Sequence, residues 1–326
     1  MIIMKLFHYH SSGTNKLKDQ AQIGDQMGVE QYRRVKMVHR LPKISFEFFP
    51  PKTLQASFNL WESLNVLAPL NPEFVSVTYG AGGTTRQLTR EMTETIGKSF
   101  GLDVAAHLTC VNASKAETLA IAKTYVDAGV NQIVALRGDA PKGSGGFRPH
   151  PSGFQDSVDL VAGLAATNIK TIHVGAYPEP HPEARYANAD IDWLKRKIDA
   201  GATSAITQFF FDSELFLRFR DRCVKSGISV PIIPGILPIE NWDNVKQFSR
   251  QCGASIPASL DAEFAMAKRN GVEDILSVVV ATDICADLMD NGIDQFHFYT
   301  MNRPYLTRDV CLALGVVPDT KIALVA

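Results

Sequence analysis

From residue 41 onward the hydrophobic positions switch repeatedly between two periods. Runs of β-branched and aromatic residues, several of them alternating, fall at 44–49, 74–77, 104–109, 132–136, 171–176, 205–209, 232–236 and 295–298. Between them, stretches such as 115–128 and 191–200 carry the period of an amphipathic helix. Several of these end in glycine, at Ala128-Gly129, Ala200-Gly201, Ser226-Gly227 and Asn291-Gly292, where a C-terminal cap can stop a helix before the next strand. Strands each followed by a helix predict an α/β chain folded as a parallel (β/α)8 TIM barrel. An open doubly wound sheet is the alternative, but the glycine-rich dinucleotide turn it should carry after its first strand is absent. An extra helix is expected at 255–268, before the last strand.

The first forty residues are polar and lack a clear period, so the chain divides into an N-terminal arm, 1–40, and a single barrel domain, 41–326. The arm holds Ser11-Ser12-Gly13-Thr14 and the basic Arg33-Arg34-Val35-Lys36, and is expected to pack on the barrel exterior or on a second subunit. A chain of 326 residues, 45% hydrophobic and 21% charged, has a globular profile that one barrel accommodates. A formal net charge of -1 argues against nucleic acid or an anionic membrane as the main partner. No apolar run approaches a membrane span and no secretory signal is evident, which leads us to expect a cytoplasmic protein. The five cysteines, Cys110, Cys223, Cys252, Cys285 and Cys311, show neither CxxC nor metal-ligand spacing. They are expected to be reduced and structural, and no metal site is expected.

The chemistry concentrates where a parallel barrel places it, at the C-terminal ends of the strands. In Ile44-Ser45-Phe46-Glu47-Phe48-Phe49-Pro50-Pro51 a glutamate sits among three phenylalanines, so it either loses its charge or has a partner. It is a candidate acid, or else the partner of a distant Arg or Lys. The second strand runs into Thr78-Tyr79-Gly80-Ala81-Gly82-Gly83-Thr84-Thr85, suited to close backbone approach to a ligand. The next ends are His107-Leu108-Thr109, Arg137-Gly138-Asp139, Tyr177-Pro178-Glu179-Pro180-His181-Pro182 and Gln208-Phe209-Phe210-Phe211-Asp212. Singly, each has a structural explanation: a core histidine, an Arg–Asp pair, core phenylalanines, a solvated Arg196-Lys197 face. Together they put polar groups at one end of nearly every strand. No GxSxG elbow or Cys-His signature supports covalent hydrolysis.

These segments, with Ser76-Val77-Thr78-Tyr79-Gly80-Ala81, Leu194-Lys195-Arg196-Lys197, Pro234-Gly235-Ile236-Leu237-Pro238 and Phe296-His297-Phe298-Tyr299-Thr300-Met301-Asn302-Arg303, resemble the bacterial methylenetetrahydrofolate reductases from about residue 41 to the end. The resemblance implies an FAD-containing barrel that reduces 5,10-methylenetetrahydrofolate to 5-methyltetrahydrofolate, with NADH or NADPH as donor, in one-carbon metabolism feeding methionine biosynthesis. It implies Glu47 as the general acid that protonates the folate at N10, kept protonated near neutral pH by desolvation, and Asp139 as a second carboxylate beside flavin and pterin. It further implies that Thr78, Tyr79, Ala81, His107, Arg137, Gly138, Asp139, Tyr177, Ala184, Asp190, Arg196 and Lys197 line the FAD site, with Arg196 and Lys197 on the pyrophosphate. Gln208, Asn244, Phe248 and Arg303 correspond to substrate contacts, Gln208 meeting folate and NADH in turn, in a homo-oligomeric enzyme.

Two positions depart from the family pattern. Asp156 stands where a tyrosine beside the flavin is common, and Trp193 where an asparagine is common near the adenosine. Both are expected to alter FAD affinity. A folate- or flavin-binding protein without turnover, and a proline-oxidising flavin barrel, are the competing functions.

Overall fold

The computed structural model describes residues 41–79, 86–139, 147–181, 184, 186 and 188–319. The arm at 1–40 and Ala81 lie outside the described residues. The described elements run β1 (Lys43–Phe48), α1 (Leu54–Leu67), β2 (Phe74–Val77), α2 (Arg86–Phe100), β3 (Val104–Thr109), α3 (Lys115–Asp127) and β4 (Gln132–Leu136). They continue with α4 (Ser157–Ala165), β5 (Thr171–Ala176), α5 (Ala189–Asp199), β6 (Ser204–Thr207), α6 (Ser213–Lys225), β7 (Ile232–Ile233) and β8 (Gly235–Ile236). The last are α7 (Trp242–Cys252), α8 (Ala258–Asn270), α9 (Glu273–Asp290), β9 (Gln295–Tyr299) and α10 (Pro304–Ala313). Every ladder among them is parallel, in the order β7-β6-β5-β4-β3-β2-β1-β9-β8.

The run predicted as one strand at 232–236 is two, because Pro234 between them has no N–H for the ladder. β7 pairs with β6 and β8 with β9, so this segment is where the ring of strands meets its own end. Gly235 makes that meeting possible. A Cβ there would lie 2.2 Å from the Thr207 carbonyl oxygen and 2.5 Å from the Tyr299 ring, closer than real side chains approach. The predicted run 205–209 ends early, at Thr207. Phe209 and Phe211 turn instead into a cluster with Leu237, Trp242 and Phe264 under α7 and α8. The extra helix expected at 255–268 is α8.

Strand alternation decides which way β1 faces. Ile44, Phe46 and Phe48 point outward into a cluster with Leu60 and Leu64 of α1 and with Phe296 and Phe298. Burying a side chain of that size stabilises by about 1.5–3 kcal/mol. Ser45 and Glu47 therefore point into the barrel, where Phe74, Ala105, Val134, Ile206 and Ile233 fill the middle. Among the described residues no helix is long and apolar enough to cross a membrane.

Candidate active site

Glu47 is the last inward-facing residue of β1, and its partners come from two other strands. His107 Nε2, from β3, lies 3.3 Å from Glu47 Oε2, and His297 Nε2, from β9, lies 3.9 Å away. The three side chains are only 14%, 8% and 0% exposed, in the order Glu47, His107, His297. Ladder register places them: β1 pairs with β9 so that Ser45 faces His297 and Glu47 faces Tyr299. Ser45 Oγ lies 2.8 Å from His297 Nδ1, nearer than its 3.1 Å to the Phe296 carbonyl. Nε2, the other ring nitrogen, faces the carboxylate.

Burial pushes the Glu47 carboxyl up, as expected from its apolar strand. The bonds and charges of His107 and His297 more than reverse this and hold it at about 2. The expectation that desolvation keeps Glu47 protonated near neutral pH is thereby corrected. Nor is the partner a distant Arg or Lys. Burial holds His297 below the ordinary histidine range.

The loop after β9 braces this end of β1. Thr300 Oγ1 donates to the Glu47 carbonyl at 2.6 Å, and Asn302 brackets Phe49, its Nδ2 donating to the carbonyl and its Oδ1 accepting from the N–H. Tyr299 donates its hydroxyl to the Thr207 carbonyl at 2.7 Å across the closure.

The other expected residues that the structure describes lie in or after β2 to β6, on α5 and α7, and in the loop after β9. Thr78 donates its N–H to Phe48 O, and buried Tyr79 follows. Gly138 has φ +83, and a Cβ there would meet Thr109 at 2.8 Å, so only glycine fits this turn after β4. Arg137 lies over the Phe147 ring at 5.1 Å. Asp139 is exposed and near enough to Tyr177 and Cys252 to push both of those groups up. The Tyr177 hydroxyl stands at about 12, chiefly through burial. Tyr177, Gln208, Phe209 and Cys252 line one recess. Gln208 Oε1 accepts from the Phe209 N–H at 3.0 Å, and Phe248 stacks on Phe209 at 5.2 Å. Asp190 accepts from the His181 N–H at 3.1 Å, and Ala184 donates to the His181 carbonyl. Lys197 is buried and donates to the Gly175 carbonyl; burial brings its amine down to about 8. Exposed Asn244 sits in the first turn of α7, capped by Asn241, and Arg303 is paired with Glu240 at the rim.

Asp156 has a structural role of its own. Its carboxylate caps α4, accepting from the N–H groups of Val158 and Asp159 at 2.8 and 2.9 Å. Trp193 donates its indole N–H to Ser157 Oγ, and its ring carries the Arg196 guanidinium.

Residues 33–315 match the family model for methylenetetrahydrofolate reductase. The 5,10-methylenetetrahydrofolate reductases of Salmonella typhimurium and Escherichia coli are each 45% identical to this chain, covering 84% of it and 91% of their own length. The chain belongs to the methylenetetrahydrofolate reductase family.

As a member of this oxidoreductase family it is an enzyme, which removes both competing functions. A solved structure described as an uncharacterised protein from Clostridium thermocellum that binds two copies of 5-methyl-5,6,7,8-tetrahydrofolic acid shares the fold. Its TM-score is 0.58 at 15% identity, over 86% of this chain and 96% of its own. Three side chains of this reductase's site were missed in the sequence: Ser45, His297 and Tyr299. The alternation of Ser45 with Glu47, and of His297 with Tyr299, is legible, but the register that joins them is not.

Whether the site suits a flavin can be tested on its own groups. Among the described residues, Thr109 Oγ1, at the end of β3, is buried without a hydrogen-bond partner. It lies two residues beyond His107, whose Nε2 faces Glu47. Buried polar atoms of this kind are costly unless something polar meets them. The glycine turn at 138 and the buried Lys197 amine fit the same reading.

Proposed function

We propose that this reductase converts 5,10-methylenetetrahydrofolate to 5-methyltetrahydrofolate with FAD bound at the strand ends and NADH or NADPH as donor, in a ping-pong cycle. When bound, the flavin would supply hydride transfer between donor and folate. Thr78, Tyr79, His107, Arg137, Gly138, Tyr177, Ala184 and Asp190 would hold it, with Arg196 and Lys197 on its phosphates. Asp139 would bond the pterin. Gln208 would position each substrate in turn, because only one can face the ring, while Phe248 stacks on it and Asn244 and Arg303 hold the folate.

Glu47 carries the reading: it is the inward carboxyl of β1, flanked by two imidazoles. It would deliver a proton to folate N10, opening the five-membered ring. A folate closing over it removes the remaining solvent. That strengthens the push of burial toward the protonated acid and opposes the hold of the imidazoles.

The test is Glu47→Gln followed by stopped flow on each half-reaction. Flavin reduction by NADH should persist, while transfer to methylenetetrahydrofolate falls about a hundredfold or more. Folate reduction at near-normal rate would remove Glu47 from the acid role.

A further inference from the structure

The two departures, Asp156 and Trp193, belong to one contact chain. Asp156 fixes the first turn of α4 by accepting from Val158 and Asp159. In that turn Ser157 Oγ accepts the Trp193 indole N–H at 3.1 Å. The indole, half-buried on α5, carries the guanidinium of exposed Arg196 at 4.3 Å from its ring. Three residues apart on one helix, Trp193 and Arg196 share a face. Among the described residues no carboxylate pairs with Arg196.

Stacking differs from an ion pair in what it leaves free. A guanidinium lying on a ring uses its face, so the in-plane N–H donors remain directed outward and can fork onto an oxyanion. A freely rotating exposed arginine would lose that freedom on binding, whereas one already held on a ring loses less.

We propose that Trp193, pinned by Ser157, is a positioning residue that presents Arg196 to the diphosphate of the dinucleotide cofactor. This rests on the placing of Arg196 at the cofactor's phosphates, and the test separates the two ideas. Apoprotein is titrated with FAD and with riboflavin, which lacks phosphate and adenine, following flavin fluorescence. Trp193→Ala should weaken FAD about threefold to tenfold, the size expected for ordering one long side chain, and leave riboflavin unchanged. Trp193→Phe, which keeps a ring, should restore most of the loss.

The deciding arm is the double variant. If Trp193 acts through Arg196, then Trp193→Ala has no further effect once Arg196→Gln is in place. Additive losses would mean that the indole touches the cofactor itself, and would overturn the proposal. Equal weakening of FAD and riboflavin, or no change in FAD, would overturn it too. If Arg196→Gln alone leaves FAD binding unchanged, the placing of Arg196 fails and the proposal falls with it. If Arg196→Gln weakens FAD while Trp193→Ala does not, only the role of Trp193 fails.

Discussion

Nε2 of His297 faces Oε2 of Glu47 at 3.9 Å from the neighbouring strand, and the Glu47 carboxyl stands at about 2 beside it and His107. Glu47 is therefore held as a carboxylate, whereas the general acid proposed for it must hold a proton. Folate binding should accordingly bring in about one proton near pH 7. Calorimetry in buffers of different ionisation enthalpy measures this directly. The uptake should vanish in Glu47→Gln, and a wild-type value near zero would show that the acid is loaded in some other way.

Gln208 shares its recess with Tyr177 and Phe209, and its Oε1 is engaged by a backbone N–H, which leaves its amide N–H groups for a ligand. Gln208→Ala should slow both half-reactions, by roughly the tenfold that losing one hydrogen bond of about 1.4 kcal/mol implies. Initial-rate lines at varied NADH should be parallel. Intersecting lines would show both substrates bound together and count against a shared site.

The Lys197 amine, brought down to about 8 by burial from an ordinary 10.5, is charged in the neutral range and neutral in mild alkali. An anion beside it is favoured only by the charged form. FAD association with apoprotein should therefore weaken as pH rises through 8, while riboflavin association stays flat. Lys197→Met should abolish the pH dependence. An unchanged pH profile in that variant would place Lys197 away from the phosphates.

Deeper in the barrel, His173 bonds Ser204 Oγ at 2.6 Å and Gln132 Oε1 at 3.1 Å, stacks on Phe74, and is held at about 3, mainly by burial. Its folded pKa lies below the ordinary 6.5, so the unfolded chain binds its proton first. The stability it contributes is complete above pH 6.5 and is lost as pH falls toward 3. At pH 5 the loss is about 2 kcal/mol from this residue, and buried His297 acts in the same direction. Urea midpoints at pH 7 and pH 5 should differ accordingly, and His173→Gln should narrow the gap. Equal midpoints in the wild type would contradict a neutral, buried His173.

The sequence by itself determined the alternation of strands and helices, the (β/α)8 class, and the end of the barrel where polar groups gather. These follow from local periods of two and 3.6 residues and from glycine stops such as Gly129 and Gly201, which take φ +87 and +118. It also singled out Glu47, because one carboxylate in an apolar strand breaks a local rule. Only the tertiary structure decided what that carboxylate meets. Ser45 and His297 are 252 residues apart, and they meet because β1 pairs with β9 in a register that sets Ser45 opposite His297. No local period encodes that register, yet it sets the charge on Glu47. Asp156 and Trp193 show the same limit. Side by side in no stretch of sequence, they meet through Ser157 because α4 packs on α5, and that packing turns two unexplained departures into a cap and a platform.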